Sequence, residues 1–409
     1  MTSKTARRDA GSGGLYQRAD GLWVAALTLP DRDGRRRRKT VSHRTKEGAA
    51  KKLKALRSEL DRAGDLPTSS PTLATWMETW LQRIAAPRLK PNTLTTYRGQ
   101  VDRYIVPAIG KVRLDKLTPA HVRRLHDYII DGGRSSTTAL QAHRILSKAL
   151  TDAMREGKVT RNVATLIDAP RKAVVNRGAL TADQARTLLL SVAKDPHAAA
   201  SWSVALLAGL RQGERLGLTR EAVDLDAGII TVSWQLQRLR WQHGCSPKCG
   251  RKRGADCPQR HITIPHGQEA RQVHGALWLT RPKSRAGWRQ VPIASQLHGI
   301  LTIYLDAFPP GDEGLIFTRP DRHPIDPSDD AEAWDRALKA AGLPDVPLHS
   351  ARHTTATLLH ELQVPDQTRI RILGHSSATV TAGYTHVSGP EMADAMARLG
   401  ALVVPQLEP

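Results

Sequence analysis

The stretch PLHSARHTTATLLHEL, residues 347–362, starts with polar and cationic side chains and continues into an apolar repeat. Its spacing predicts a helix over residues 350–363. His349 and Arg352 lie one helical step apart at the start of this helix, where free backbone N–H groups and the helix dipole favour an anion. The residue types and their position therefore indicate a candidate anion site.

A second candidate group lies in LLAGLRQGERLGL, residues 206–218. One helix is expected to end at Gly209, and Arg211 stands at the start of the next one. Glu214 follows three residues later, so the two side chains are expected to meet. An ordinary ion pair between neighbours on a helix surface is the alternative interpretation.

Two further segments contain groups that can transfer protons. LTRPKSRAGWRQVPI, residues 279–293, predicts a hairpin with Lys283 at its turn, and a solvated turn lysine is the alternative. ILGHSSATVTAGYTHV, residues 372–387, is small and polar, yet it contains His375 and Tyr384. Because a buried tyrosine normally lies in an apolar run, this phenol belongs either to an ordinary surface loop or to a ligand site.

Together, the four segments supply what an attack on a phosphodiester requires. Planar guanidinium groups donate paired hydrogen bonds to phosphate oxygens and keep their charge. A tyrosine nucleophile, with a pKa of about 10, needs nearby cations or a base to form phenolate. A lysine can protonate the departing oxygen, and histidines can share the proton handling. No metal cofactor is expected for catalysis, because two arginines and a lysine supply the positive charge.

These motifs resemble those of the tyrosine recombinases of the phage-integrase family. The boxes AGLRQGERLGL, PKSRAG, HSARH and LGHSS follow one another in the family's order. The resemblance implies a catalytic set of arginine, lysine and histidine around a tyrosine nucleophile. By their positions in the boxes these residues are Arg211, Glu214 as an acidic residue next to it, Lys283 as general acid, His349, Arg352 and His375. Tyr384, nine residues after His375, matches the nucleophile.

The composition agrees with a polyanionic partner. The chain contains 61 Lys and Arg residues against 39 Asp and Glu residues, a net charge of +22, which points first to nucleic acid. No membrane partner is expected, because the sequence has no apolar run long enough to span a bilayer and no signal-peptide pattern. Three cysteines cannot form a disulfide framework, so a reducing cytoplasm is the expected compartment. The resemblance implies a bacterial protein that is associated with the nucleoid.

The residue patterns divide the chain into three domains, so the expected fold class is multidomain. Residues 13–64 predict a small α+β unit with a three-stranded sheet and one helix, and residues 72–158 predict an all-α unit of four helices. Residues 175–399 predict a mixed α+β unit. By resemblance, these are an arm-type DNA-binding domain, a helical core-binding domain and a tyrosine recombinase catalytic domain.

Within the third domain, the expected helices are 181–194, 201–218, 330–341, 350–363 and 390–399, and the expected strands are 228–233, 276–280 and 289–293. By resemblance, the last helix would pack against a neighbouring protomer. The alternative is a terminal helix that folds onto its own domain.

The third predicted strand of the arm-type domain contains five consecutive cations. Contact with DNA phosphates is favoured over the alternative, a solvated edge strand that discourages aggregation. The predicted DNA-binding residues are Arg35, Arg36, Arg37, Arg38 and Lys39.

An insertion over residues 240–275 departs from the family pattern. It contains all three cysteines, Cys245, Cys249 and Cys257, with His243, His261 and His266 nearby. The three cysteines with His261 could form a structural zinc site. The spacing is not that of a familiar zinc ribbon, and a basic loop with incidental thiols is the alternative.

The resemblance implies a site-specific recombinase of a mobile element, because an arm-type domain is typical of integrases. Four protomers on double-stranded attachment sites would exchange strands through a 3′-phosphotyrosine intermediate and a Holliday junction, without ATP. An excisionase or a host DNA-bending protein would assist. A type IB topoisomerase shares the chemistry, and a non-catalytic DNA-binding regulator that keeps the fold is the alternative from another class.

Overall fold

The computed structural model describes residues 13–32, 34–65, 70–173, 178–245, 249–265, 267–282, 288–374 and 389–404. The chain divides after Val174 into two compact units. Unit 1 contains the first two predicted domains, and unit 2 contains the third. In the described residues, no helix has both the length and the apolar character needed to cross a membrane.

The described part of unit 1 begins with a three-stranded antiparallel sheet and one helix. The elements are β1 (Gly13–Gln17), β2 (Trp23–Arg32), β3 (Arg35–His43) and α1 (Lys46–Ala63), with sheet order β1-β2-β3. The Thr45 side chain caps α1 by accepting a hydrogen bond from the Gly48 N–H, and Gly64 ends the helix in the left-handed region with φ 71°. Alternate residues of β2, such as Leu27 and Leu29, pack against the leucines of α1.

The rest of unit 1 is helical, as predicted. Its elements are α2 (Leu73–Thr79), a π-helical turn (Trp80–Ala85), α3 (Pro91–Gln100), a second π-helical turn (Val101–Ile105), α4 (Val106–Ile109), a 3₁₀ turn (Leu114–Lys116), α5 (Pro119–Asp131), α6 (Ser136–Arg155) and a 3₁₀ turn (Val163–Leu166). Two buried indoles connect α2 and the π-helical turn after it to α6. Trp76 donates to the Ala149 carbonyl, and Trp80 donates to the Asp152 carboxylate. Buried hydrogen-bonded indoles of this kind fix how the two helices pack.

In its described residues, unit 2 has a helical core with three small sheets. Its helices are α7 (Ala182–Ser191), α8 (Pro196–Leu207), α9 (Gln212–Leu216), α10 (Ser295–Ala307), α11 (Pro327–Ala340), α12 (His349–Glu361), α13 (Asp366–Leu373) and α14 (Gly389–Val403). Its strands are β4 (Val223–Asp224), β5 (Ile229–Val232), β6 (Gln235–Arg238), β7 (Gln242–His243), β8 (Arg260–His261), β9 (Ala270–His274), β10 (Leu277–Thr280) and β11 (Arg289–Pro292). The sheets are antiparallel, with orders β11-β5-β4, β6-β10-β9 and β7-β8.

The helix end predicted at Gly209 is confirmed, because α8 and α9 are separate helices with Arg211 at the start of the second. The single helical span over residues 201–218 is therefore wrong. Gly209 lies at the break with φ 60°, and a Cβ at this position would lie 2.8 Å from Cδ2 of Leu373. Only glycine adopts this conformation without strain and also allows such a close approach. The break frees the start of α9 to present Arg211. The sequence patterns also did not predict α10 and α13.

The predicted hairpin around Lys283 is wrong as a strand pairing. β10 pairs with β6 and β9, whereas β11 pairs with β5, so the two strands belong to different sheets. Lys283 itself lies outside the described residues.

The helix α14 packs on its own unit. Ala395, Met396 and Leu399 are buried in the same core as α7, α8 and α12. The expected packing on a neighbouring protomer is therefore not what this helix does here, and the own-domain alternative describes it.

Candidate active site

The first arginine of the site is placed by the break before α9. Arg211 is the N-cap residue of this helix, and its backbone N–H donates to Oε2 of Glu214 at 3.0 Å. Its Nη1 donates to Oε1 of the same carboxylate at 2.6 Å. Glu214 thus caps the helix and fixes the direction of the guanidinium at the same time.

A second arginine, Arg289, approaches Glu214 from β11. Its Nη2 donates to Oε2 of Glu214 at 2.9 Å, and its Nε donates to the Ile372 carbonyl at 2.7 Å. Both partners of this ion pair are almost fully buried. Burial alone raises the pKa of Glu214, but Arg289 and Arg211 outweigh it and hold the pKa below the ordinary value of 4.5. The carboxylate is therefore ionised at neutral pH.

The third arginine, Arg352, extends from the first turn of α12 and is only 3% exposed. Its Nη1 donates to the Gly209 carbonyl at 2.7 Å, and its Nη2 donates to the Leu373 carbonyl. The neighbouring carbonyl, that of Gly374, accepts from Nη2 of Arg211 at 3.1 Å. Both guanidinium groups therefore face the C-terminal end of α13, where Gly374 has φ 66°.

The electrostatics of the cluster favour an anion. Three arginines surround one carboxylate, Glu214. Burial, together with the charges of Arg211 and Arg289, lowers the pKa of Arg352 to about 9, and Glu214 opposes this effect. A phosphate placed against the guanidinium groups would relieve the repulsion between them and supply acceptors for their remaining N–H groups.

The described structure brings together three of the predicted site residues, namely Arg211, Glu214 and Arg352. His349 begins α12 with an exposed side chain, and its ring lies edge-on to that of His353, with ring centres 4.9 Å apart. Lys283, His375 and Tyr384 lie outside the described residues.

Sequence reasoning missed Arg289. Its strand offers a signal, because alternate residues of a strand share a face, and Val291, two residues later, is fully buried. An arginine at an inward position needs a buried partner, and here that partner is Glu214.

Two family models match separate parts of the chain. Residues 72–130 match the N-terminal SAM-like domain of phage integrases, and residues 266–390 match the phage integrase family. The second match spans α12, α13 and the segment that follows Gly374. The chain belongs to the phage integrase family.

Similarity to known family members extends over most of the sequence. An integrase of Saccharopolyspora erythraea is 28% identical, with 95% of each chain covered. A XerC-like tyrosine recombinase of Caldanaerobacter subterraneus is 25% identical, over 91% of this chain and 94% of the relative.

Solved structures of integrases share the fold. A lambda integrase dimer bound to a COC′ core site has a TM-score of 0.54 and 19% identity, over 94% of this chain and 99% of that chain. A fragment of the Tn1549 transposon integrase in complex with a circular intermediate DNA has a TM-score of 0.61 and 19% identity, over 81% of this chain and 100% of that chain. The predicted multidomain fold class is therefore confirmed.

The five cations predicted to bind DNA from the arm-type domain are divided between two faces of its sheet. Arg37 pairs opposite Leu29, and Lys39 pairs opposite Leu27, so both share the face that packs on α1. Arg37 also donates to Asp65 at 2.5 Å. The first of the five, Arg35, has a side chain outside the described part of the structure.

The other two cations, Arg36 and Arg38, are exposed on the opposite face of the sheet. The guanidinium of Arg38 lies 6.0 Å from the ring centre of Tyr16, which is itself 45% exposed. This open face combines cations with an aromatic ring, so it is the better candidate surface for nucleic acid.

The insertion of this integrase-family chain contains a cluster of sulfur and nitrogen atoms. One ligand atom from each of His243, Cys245, Cys249 and Cys257 lies within 4.8 Å of the others. His261, the predicted fourth ligand, is not in this cluster, and His243 takes its place. The strand register explains why His243 takes part and His261 does not. His243 pairs opposite Arg260, whereas His261 pairs opposite Gln242, so the two histidines lie on opposite faces of the hairpin.

Proposed function

We propose that this protein is a site-specific DNA recombinase, an integrase that cleaves and rejoins DNA through a 3′-phosphotyrosine intermediate and thereby integrates or excises a mobile element. The observation that carries the proposal is the pocket in which Arg211 and Arg352, oriented by Glu214 and by backbone carbonyls, face the end of α13. His375 directly follows Gly374, the residue that ends α13, and Tyr384 follows nine residues after His375. Family membership supports the same reaction.

In the proposed reaction, the Tyr384 oxygen attacks the scissile phosphorus, and the bond from phosphorus to the 5′-oxygen breaks. Lys283 gives a proton to the departing 5′-oxygen, and Arg211 and Arg352 stabilise the charge on the two non-bridging oxygens. His349 and His375 share proton handling and orient the phosphate. Attack by the 5′-hydroxyl of a partner strand reverses these steps, so rejoining needs no ATP.

The proposed catalysis uses no metal cofactor. Guanidinium groups that are held in place by Glu214 and by main-chain carbonyls can supply fixed positive charge to a bound phosphate during the attack. The phosphodiester energy is retained in the bond to tyrosine, so no high-energy cofactor is needed either.

The proposed partner is double-stranded DNA that contains attachment sites, with four protomers assembled on it. A relative supports the assembly, since lambda integrase has been solved as a tetramer bound to a Holliday junction. An excisionase or a host DNA-bending protein would set the direction of the reaction. The proposed location is the bacterial cytoplasm, at the nucleoid.

Trapping on nicked suicide duplexes tests the proposal. Duplexes tiled across the DNA that flanks the encoding gene would be incubated with the full chain, and covalent adducts would be separated on denaturing gels. The expected result is an adduct with the wild type and none with Tyr384→Phe. If no duplex gives an adduct while the same protein binds one of them specifically, the alternative of a non-catalytic DNA-binding regulator replaces this proposal.

A further inference from the structure

The insertion between β6 and β9 folds without an apolar core. In the described residues between Leu239 and Ala276, the one buried hydrophobic side chain is that of Cys257, which is 1% exposed. Even so, the segment has a defined backbone, because β7 pairs with β8 and the Gly244 N–H donates to the Gln259 carbonyl at 2.9 Å. Small units that lack a core usually depend on a cross-link or a metal ion.

The backbone brings four ligand side chains to one place. His243 ends β7, Cys245 follows it, and Cys257 comes shortly before β8, so the hairpin sets three of the positions. The chain passes close to itself here, since a Cβ on Gly254 would lie only 2.2 Å from the Trp241 carbonyl oxygen. Glycine at this position is therefore needed for the loop to return to the hairpin.

The distances within the cluster suit a tetrahedral ion. Nδ1 of His243 lies 3.5 Å from Sγ of Cys249. With bonds of about 2.3 Å to sulfur and about 2.0 Å to nitrogen, the S···N edge of a tetrahedral zinc centre is about 3.5 Å. The sulfur atoms lie within 4.8 Å of one another, so each S···S separation is at most about 1 Å longer than the corresponding edge of a tetrahedral zinc centre.

Backbone N–H groups are directed at two of the sulfur atoms. The Cys249 N–H donates to Sγ of Cys245 at 3.2 Å. Backbone N–H groups of Gln259 and Gly244 also contact the Cys257 sulfur. Amide donors of this kind stabilise a sulfur that bears negative charge, as a metal-bound thiolate does.

We propose that His243, Cys245, Cys249 and Cys257 bind one Zn²⁺ ion in a structural site that holds the insertion together. Three thiolates and one imidazole are a ligand set that zinc prefers, and four protein ligands leave no open position for a substrate. Zinc binding displaces the protons of the three thiols, so affinity increases with pH in the range where they titrate. None of the four ligands belongs to the arginine pocket, so the site stands or falls independently of the proposed reaction.

The chain offers a matched pair of variants to test the ligand set. His243→Ala and His261→Ala remove the same side chain from adjacent levels of one short hairpin. We expect about one zinc ion per chain in the wild type and in His261→Ala, measured by mass spectrometry of metals after gel filtration. In His243→Ala, zinc affinity should fall by at least about 10-fold, measured by competition with a chromogenic chelator.

A spectroscopic measurement on the wild-type chain keeps the test valid if a variant fails to fold. Replacement of the metal by Co²⁺ should give the intense near-ultraviolet bands of thiolate ligands and the visible bands of a tetrahedral centre. The proposal is overturned if the reduced full chain takes up no zinc or cobalt. It is also overturned if two of the cysteines are joined in a disulfide in protein purified under reducing conditions, or if His261→Ala loses the metal while His243→Ala keeps it.

Discussion

The arginines of the pocket and the cations of β3 are the same kinds of residue in opposite settings. In the pocket, Arg289 and Arg352 are almost fully buried, and each guanidinium donates to main-chain carbonyls or to Glu214. On β3, Arg36 and Arg38 are exposed on the open face of a small sheet.

The two settings differ in the free energy that is needed to place a charge there. A buried guanidinium loses its hydration and must be compensated by hydrogen bonds from the fold, whereas a surface guanidinium remains hydrated. Substitutions in the pocket should therefore affect stability and chemistry together, and those on β3 should affect only the affinity for a polyanion.

The largest effect is expected where an arginine is fully buried beside the pocket. Arg215 of α9 donates to both carboxylate oxygens of Asp330, at 2.7 and 2.6 Å, and its guanidinium lies 4.7 Å from the ring centre of Trp202. Asp330→Ala would leave this charge buried and unpaired, which should lower the free energy of unfolding by about 3–5 kcal/mol. Urea denaturation measures this. Asp335→Ala, at an exposed position of the same helix, is the control and should change little.

Arg352→Lys tests whether the buried guanidinium of the pocket takes part in strand cleavage. Lysine keeps the charge, but it lacks the planar set of donors of a guanidinium. It therefore cannot bind the carbonyls of Gly209 and Leu373 and a phosphate at the same time. Strand cleavage on a suicide duplex should slow by about 100- to 1,000-fold, as for the loss of one fixed donor. Arg336→Lys, at an exposed position of α11, should cleave at the wild-type rate. A rate for Arg352→Lys close to that of the wild type would remove this residue from the chemistry.

Glu214→Gln should change how stability depends on pH. Because the pKa of Glu214 is lowered in the folded chain, its stabilising effect is complete above the unfolded value of 4.5 and is lost as pH falls through the folded value. We expect the variant to lose about 1.5–3 kcal/mol at neutral pH, the usual value of a charged hydrogen bond.

The same variant should show a shallower fall in stability on acidification below pH 4.5 than the wild type does. Urea denaturation over a series of pH values measures both effects. Glu332→Gln, at an exposed position, should follow the wild type throughout. Parallel acid limbs for the wild type and Glu214→Gln would contradict the ionised, arginine-paired carboxylate.

The smallest effects are expected on β3. Arg36→Ala and Arg38→Ala should each weaken binding of the full chain to double-stranded DNA that contains its attachment sites. Each should also reduce the slope of log affinity against log salt by about 1, as for one phosphate contact. Arg37→Ala, on the helix-facing side, should leave the slope nearly unchanged. Fluorescence anisotropy over a range of salt concentrations distinguishes these outcomes, and an equal change for Arg37→Ala would show that the two faces do not differ.

Local sequence patterns predict much of the difference between the pocket arginines and the cations of β3. The spacing of Arg211 and Glu214 predicted that their side chains meet, and the distance of 2.6 Å confirms it. The run of cations in β3 is also plain, and its division between faces follows from the two-residue period once the strand is known.

The errors occurred where a contact depends on residues far apart in the chain. Arg289 reaches Glu214 only because β11 pairs with β5, and the sequence between β10 and β11 suggested a hairpin instead. Likewise, His243 and not His261 faces the cysteines, because the register of a two-residue strand pair decides it. Sheet membership and register are tertiary properties that short motifs do not specify.

The proposed reaction requires that Tyr384 forms the covalent bond to DNA. The segment between Arg371 and Arg398 contains a single tyrosine and no other trypsin site, so one tryptic peptide reports on it. Mass spectrometry of the trapped adduct, after digestion of protein and DNA, should find a nucleotide attached to Tyr384 in this peptide. A nucleotide attached to any other residue would contradict the account.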